Sequence, residues 1–279
     1  MQFSSLISLS LVPLSHAIPV IYIAGDSTTA PDGGHNGTQG WGEYLQYSFS
    51  ANTRVNNSAY AGRSARSFTR EGRFAAIAEA LVPGDWVIIE FGINDAGIPQ
   101  NGSTSTTGDK GRVDCPGSGE EVCVVTYNNV TEYVQTFGTY VKNASRLFLE
   151  KGAKLVISER LPTNSWQTGE FKFTPSVYAY YSMLVTQELG GPKAGVYFVQ
   201  HGQYAAQAQK LLGKDIVKAN YPMDNTHPAP YLADIFHQAF VLGLKCGTSP
   251  LADLIVNATA RIEGPLLGTC IQANATLPI

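Results

Sequence analysis

Charged side chains are scarce in this chain. Only 15% of its 279 residues are Asp, Glu, Lys or Arg, and acids outnumber bases 22 to 19, giving a net charge of -3. A sequence of this balance carries no dominant basic surface, so nucleic acid is not an expected partner. The apolar run at residues 6–14 is too short to cross a bilayer, so no membrane span is expected. No Gly-x-Gly-x-x-Gly or P-loop pattern follows any strand-like segment, which removes the dinucleotide-binding and nucleoside-triphosphate versions of an α/β architecture. The four cysteines contain no Cys-x-x-Cys. His35, His201 and His237 have no ligand-type partner at metal spacing, and are read as loop or surface residues. A zinc site is therefore only weakly supported by these residues, and no internal repeat is visible.

At 44% hydrophobic residues the chain can bury one sizeable core. One domain over residues 18–279 is the expectation, acting as a monomer. Residues 1–17 read as a secretory signal, because the apolar run is followed by Ser15-His16-Ala17, with small residues at the −3 and −1 positions of a cleavage site. The segment departs from that pattern in having no Lys or Arg before the run. An extracellular location agrees with the even cysteine count. Cys115 lies near Cys123 and Cys246 near Cys270 in sequence, which suggests two short-loop disulfides, although three connectivities are open from sequence. Glycosylation sequons begin at Asn36, Asn101, Asn129, Asn143, Asn257 and Asn274. A seventh, at Asn56, falls in a predicted strand and is not expected to carry glycan.

Strand and helix signals alternate along the chain. Residues 20–25 form a buried strand, followed by a glycine-rich loop, a helix over 41–50 and a short strand at 54–57. Phe74, Ile77, Ala78 and Leu81 recur at helical spacing before Pro83-Gly84-Asp85, and a strand at 86–91 follows. Residues 97–125 read as a polar loop carrying the first cysteine pair. Next come a helix over 131–151, a strand at 155–159, a helix opened by Thr174-Pro175, a strand at 196–199 and a last helix over 230–244. This order predicts a three-layer α/β/α sandwich on a five-stranded parallel sheet, with ligands at the carboxyl edge.

Three turns at that edge, and one Asp-x-x-His near the C-terminus, carry chemistry. Gly25-Asp26-Ser27 ends the first strand, where a serine could attack a carbonyl while its own N–H faces the resulting oxyanion. The strand at 54–57 runs into Gly62, whose bare N–H could aim at the same point. The strand at 86–91 ends in Gly92-Ile93-Asn94-Asp95, where the Asn94 carboxamide is a further donor. Asp224-Asn225-Thr226-His227 precedes the last helix, and its spacing lets the carboxylate reach its own histidine. Asp26 and Asp95 are read as turn-forming carboxylates rather than as the acid of a triad.

In this order the four blocks resemble the SGNH, or GDSL-like, hydrolase superfamily, whose sheet is flavodoxin-like. Gly40-Trp41-Gly42-Glu43-Tyr44-Leu45, Ala61-Gly62-Arg63-Ser64-Ala65-Arg66-Ser67, Thr69-Arg70-Glu71-Gly72-Arg73-Phe74 and Gly152-Ala153-Lys154 look like the fungal rhamnogalacturonan acetylesterases within it. That resemblance covers nearly all of residues 18–279. It implies a secreted serine esterase that removes acetyl groups from the rhamnogalacturonan backbone of pectin, without metal or cofactor. Ser27 would be the nucleophile, His227 and Asp224 would complete the triad, and the Ser27, Gly62 and Asn94 donors would form the oxyanion hole. Ile93 and Asn225 depart from the residues expected at their positions, and Ile93 bears on acyl or sugar preference.

Arg63, Arg66, Arg70 and Arg73 fall within eleven residues beside Gly62. Such a patch on an acidic chain suits a polyanion such as galacturonate, with Arg63 the favoured substrate contact. The competing reading pairs these arginines with Glu71 and Glu79 on a solvated helix face. Other readings of the whole chain are an esterase for xylan, a lipase, or a carbohydrate-binding protein without catalysis. A polar insert at 97–125 in place of an apolar lid counts against the lipase.

Overall fold

The computed structural model describes residues 18–103, 105–106, 108–256 and 266–272. The expected signal segment, Asn257 and Asn274 lie outside these. Chain order is β1 (Val20–Gly25), two 3-10 turns (Trp41–Glu43 and Leu45–Ser48), β2 (Arg54–Asn57), α1 (Ala65–Arg70), α2 (Arg73–Ala80) and β3 (Trp86–Glu90). A hairpin follows, β4 (Val122–Tyr127) and β5 (Val130–Gln135), and then α3 (Phe137–Glu150), β6 (Lys154–Ser158) and α4 (Val177–Glu188). The chain continues through β7 (Val196–Val199), α5 (His201–Leu212), α6 (Lys214–Ala219) and α7 (Pro230–Cys246).

The main sheet runs β2-β1-β3-β6-β7 with every neighbouring pair parallel. Leaving the hairpin aside, this is the flavodoxin-like order, as expected. Helices on both faces bury the strands, so their side chains divide by alternation. Ile21, Ile23 and Ile88 face a core built with Phe236 and Phe240 of α7. Tyr22, Ala24, Val87 and Ile89 face the other, with Phe68, Phe74 and Phe148. Ile23→Ala, at a fully buried position, is expected to cost about 2–5 kcal/mol because the close-packed site collapses only partly. Among the described residues no helix is long and apolar enough to cross a membrane.

The structure corrects several sequence readings. Residues 41–50 form no α-helix: Tyr44 and Tyr47 donate to Trp41 and Tyr44 across three residues, and Gln46 bonds the backbone of Thr53 and Val55 instead of standing in a continuing helix. The polar insert is not all loop, and the helix placed over 131–151 starts six residues late. Val130, Thr131 and Val134 pair instead with β4. Positive φ at Asn128 and Asn129 (50° and 62°) makes the tight turn that fits the strands' twist. Thr136 then caps α3 through its side chain. Three short or polar helices, α1, α5 and α6, went unpredicted.

His201 and His237 are not surface residues: they are 0% and 2% exposed. Each is buried because both its ring nitrogens have partners. His201 meets Glu90 Oε2 at 2.7 Å and the Phe236 carbonyl at 2.8 Å. His237 meets Ser48 Oγ at 2.6 Å and Asp234 Oδ1 at 3.0 Å. The disulfides are Cys115–Cys123 and Cys246–Cys270, so the neighbour pairing is the connectivity found. The first fastens the insert to β4, and the second ties the end of α7 to the segment 266–272.

Candidate active site

Ser27 stands one turn beyond β1, and that turn is held by its neighbour. Asp26 Oδ1 accepts from the Thr28 N–H and the Thr28 hydroxyl, each at 2.8 Å, while Thr29 and Ala30 donate back to the Asp26 carbonyl. Asp26 is therefore a turn-forming carboxylate. Burial drives its pKa up to about 6, against the pull of the Thr28 bonds.

Ser27 Oγ lies 2.8 Å from His227 Nε2, although the two are 200 residues apart in sequence. His227 Nδ1 lies 2.7 Å from Asp224 Oδ2, and Asp224 Oδ1 accepts from the Thr226 and His227 N–H groups at 2.7 and 2.8 Å. Partial burial opposes the charge on Asp224, but these bonds, led by the His227 ring, hold its carboxyl below the ordinary range. The side chains grow more open along the series. Ser27 is 3% exposed as a residue, the His227 side chain 22% and the Asp224 side chain 45%. A Cβ on Gly34 would sit 2.5 Å from His227 Cγ, so the loop after Ser27 needs glycine there to admit the imidazole. Sequence reasoning passed over Gly34, because its partner is nearly 200 residues away.

Gly62 and Asn94 follow β2 and β3, the strands on either side of β1. Gly62 has φ 73°, a left-handed conformation that a side chain resists. One residue sequence reasoning missed joins the two. Arg112 Nη1 donates to Asn94 Oδ1 at 2.9 Å and to the Gly62 carbonyl at 3.3 Å. With its oxygen held by a cation, the Asn94 carboxamide directs its NH2 the other way, and one hydrogen reaches the Arg63 carbonyl at 2.9 Å.

Asp95 ties the same turns from beneath. Its Oδ2 accepts from Gly92 N–H and its Oδ1 from Ala65 N–H, both at 2.8 Å. Asp95 and Asp114 are buried and face one another's charge, and among the described residues neither Asp114 side-chain oxygen has a hydrogen-bond partner. Burial and mutual repulsion push both carboxyls upward, so the pair holds a proton more tightly than two free carboxyls would.

The arginine cluster is less open than its sequence suggests. Arg66 is fully buried and bonds Glu132 at 2.7 Å and Asp109 at 3.4 Å. Arg70 shares Glu132, and Arg63 and Arg73 share Glu71. Glu71 is thus the partner anticipated, while Arg66 and Arg70 turn to the hairpin. Among the described residues Lys110 and Arg112 have no carboxylate partner within 4 Å. A cavity of about 220 Å³ is lined here by Gly62, Arg63, Arg70, Glu71, Lys110 and Arg112. Among the described residues no cluster suits a metal ion.

The arrangement can activate a hydroxyl at the edge of a sheet, beside backbone and amide donors. Comparison with known proteins agrees with that chemistry. The family model for GDSL-like lipases and acylhydrolases matches residues 23–231. A rhamnogalacturonan acetylesterase from Emericella nidulans is 44% identical over 255 residues, 91% of this chain and 96% of that protein. The rhamnogalacturonan acetylesterase RhgT of Bacillus subtilis is 42% identical over 76 residues, 27% of this chain and 33% of its own length. In fold, the crystal structure of YxiM from Bacillus subtilis superposes with a TM-score of 0.60 at 20% identity, over 81% of this chain and 56% of that one. With the family model covering most of its length, this chain belongs to the GDSL-like lipase/acylhydrolase family.

Proposed function

We propose that this protein is a rhamnogalacturonan acetylesterase, a serine esterase that releases acetate from the backbone of pectin. The observation that carries the chemistry is the hydrogen-bonded series Ser27–His227–Asp224, at 2.8 and 2.7 Å. What supports the substrate is the 44% identity with the Emericella esterase over nearly the full length of both chains.

In this reading a neutral His227 accepts the Ser27 proton at Nε2 as Oγ attacks the acetyl carbonyl. Its Nδ1–H is held by Asp224, which fixes the tautomer and stabilises the imidazolium that forms. The oxyanion is met by the N–H groups of Ser27 and Gly62 and by Asn94 Nδ2, each donor worth on the order of a hundredfold to a thousandfold in rate. His227 returns the proton to the departing sugar hydroxyl. Water then repeats the sequence on the acetyl-Ser27, releasing acetate.

Arg63 belongs to the polymer and not to the acetyl chemistry. Its guanidinium stands beside the cavity at Gly62 with Lys110 and Arg112, where six cations, counting Arg66, Arg70 and Arg73, face the three carboxylates Glu71, Asp109 and Glu132. A galacturonate carboxylate fits that surplus. Arg63→Ala is expected to raise KM on acetylated rhamnogalacturonan and leave a small neutral acetate ester unaffected. Equal losses on both would make Arg63 a scaffold for the Gly62 turn.

The same reading has residues 1–17 removed on export and residues 18–279 working as one extracellular domain, a monomer. Both disulfides suit that compartment. Asn36, Asn101, Asn129 and Asn143 are exposed and accessible to glycosylation. The deciding experiment measures acetate released in parallel from acetylated rhamnogalacturonan, homogalacturonan and xylan. Preference for the first supports the proposal, and preference for xylan overturns its substrate.

A further inference from the structure

On the other side of the catalytic edge, residues 159–176 between β6 and α4 enclose a second cavity of about 210 Å³. It adjoins the histidine arm. Asn164 N–H donates to the Asn225 carbonyl at 2.7 Å and Asn164 Nδ2 to Asn225 Oδ1 at 3.1 Å, and Asn225 lies between Asp224 and His227. The wall is pinned from behind as well. Ser165 N–H and Trp166 Nε1 both bond the buried Gln209 of α5, each at 2.8 Å. The cavity is therefore formed in advance.

Its lining holds unmet hydrogen-bonding groups. Ser165 Oγ, Ser176 Oγ and Arg160 Nε are buried side-chain atoms without a partner among the described residues, and all three residues border this one space. Ser165 is only 6% exposed. Buried polar atoms are ordinarily paired, so a concentration of unpaired ones marks a place where a ligand or its water completes them.

Cations and carboxyls are matched in number here: Arg160 and Glu159 both line the cavity, and Lys172 at the rim lies 3.9 Å from Glu170. The remaining lining is hydroxyls and amides, including Thr163, Asn164, Gln167 and Thr168. The cavity at Gly62 differs, with four cations lining it against one carboxylate.

We propose that the cavity at residues 159–176 binds an uncharged sugar ring adjoining the acetylated residue. An alternating polymer would then cross the edge with its uronate toward Gly62 and its neutral ring toward Ser165. The assignment rests on the carbohydrate-esterase reading above.

Two substitutions test it. Ser165→Ala removes a hydroxyl that bonds nothing among the described residues, so the melting temperature should hold while KM on acetylated rhamnogalacturonan rises about three- to tenfold, the worth of one neutral hydrogen bond. Thr168→Trp, at the exposed rim, should block the mouth and raise KM further. Both losses should persist in high salt, unlike the loss from Arg63→Ala. Turnover of a small acetate ester should stay within about twofold in both variants. Calorimetric titration of de-esterified rhamnogalacturonan oligosaccharide into Ser27→Ala, with and without Ser165→Ala, reads the same contact without catalysis. Unchanged KM and unchanged binding in both variants would overturn the cavity's role alone. A parent that hydrolyses the small ester but neither cleaves nor binds the polymer would overturn the substrate reading, and this ligand with it.

Discussion

Asp224 and His227 lie in one turn, three residues apart, with the carboxylate 45% exposed and its bonds supplied by that same turn. The wall formed by Gly62 and Asn94 is assembled from three distant segments, at 62–65, 92–95 and 112–114, with the buried Asp95 and Asp114 among them. The histidine arm is local, with its carboxylate exposed. The wall is long-range, its partly buried Gly62, Asn94 and Arg112 tied to buried carboxyls. Each arrangement suits the task proposed for it, since a histidine that shuttles protons must exchange them, whereas oxyanion donors stabilise charge best when they cannot reorganise.

The two sides should fail in different ways. Gly34→Ala forces a Cβ into the space of the His227 ring, and a displacement of about 1 Å at a proton-transferring group costs on the order of a hundredfold in rate. Its signature is a loss of kcat on small ester and polymer alike, with the fold intact by circular dichroism. If the variant kept parental kcat, the loop after Ser27 would not define the imidazole's position.

Arg112→Ala attacks the wall instead. It frees the Asn94 carboxamide to rotate and releases the Gly62 carbonyl, so a loss of up to about a hundredfold is expected on both substrates. Arg112→Lys should recover only part of it, because an ammonium lacks the fork that reaches two acceptors at once. Full recovery by lysine would reduce Arg112 to a source of charge.

The smallest effect is on stability, and it separates the two regions by sign. Burial raises Asp26 to about 6 and Glu159 to about 7, and also raises the Asp95–Asp114 pair. Such groups bind protons more tightly when folded, so the stability they contribute is complete below the ordinary carboxylate range near 4 and drains as pH rises toward 7. Asp224 has the opposite shift: its contribution is present above that range and is lost on acidification. The parent's urea midpoint should therefore fall between pH 5 and 8. Asp114→Asn, which removes one of the two repelling carboxyls, should flatten that fall. Parallel profiles for parent and variant would show that the pair carries no such proton.

This contrast also explains what could be read in the sequence. Strands and the Asp-x-x-His turn were legible because each is written in neighbouring residues: apolar runs for β1 and β3, and a three-residue tether for His227. Val130 to Gln135 misled because its strand character depends on β4 pairing with it. His201 and His237 misled because burial of a histidine is decided by partners such as Glu90 and Ser48, 111 and 189 residues away. Arg112 sat unremarked in a polar insert, with no periodicity to single it out, and only the fold brings it to Asn94.

The most direct test of the account is where an activated serine reagent reacts. After treatment with a fluorophosphonate, peptide mapping should find one adduct, on Ser27, in the parent and in Arg63→Ala, and none in His227→Ala. An adduct on another serine, or an undiminished Ser27 adduct without His227, would contradict the proposal that the hydrogen bond at 2.8 Å activates this hydroxyl.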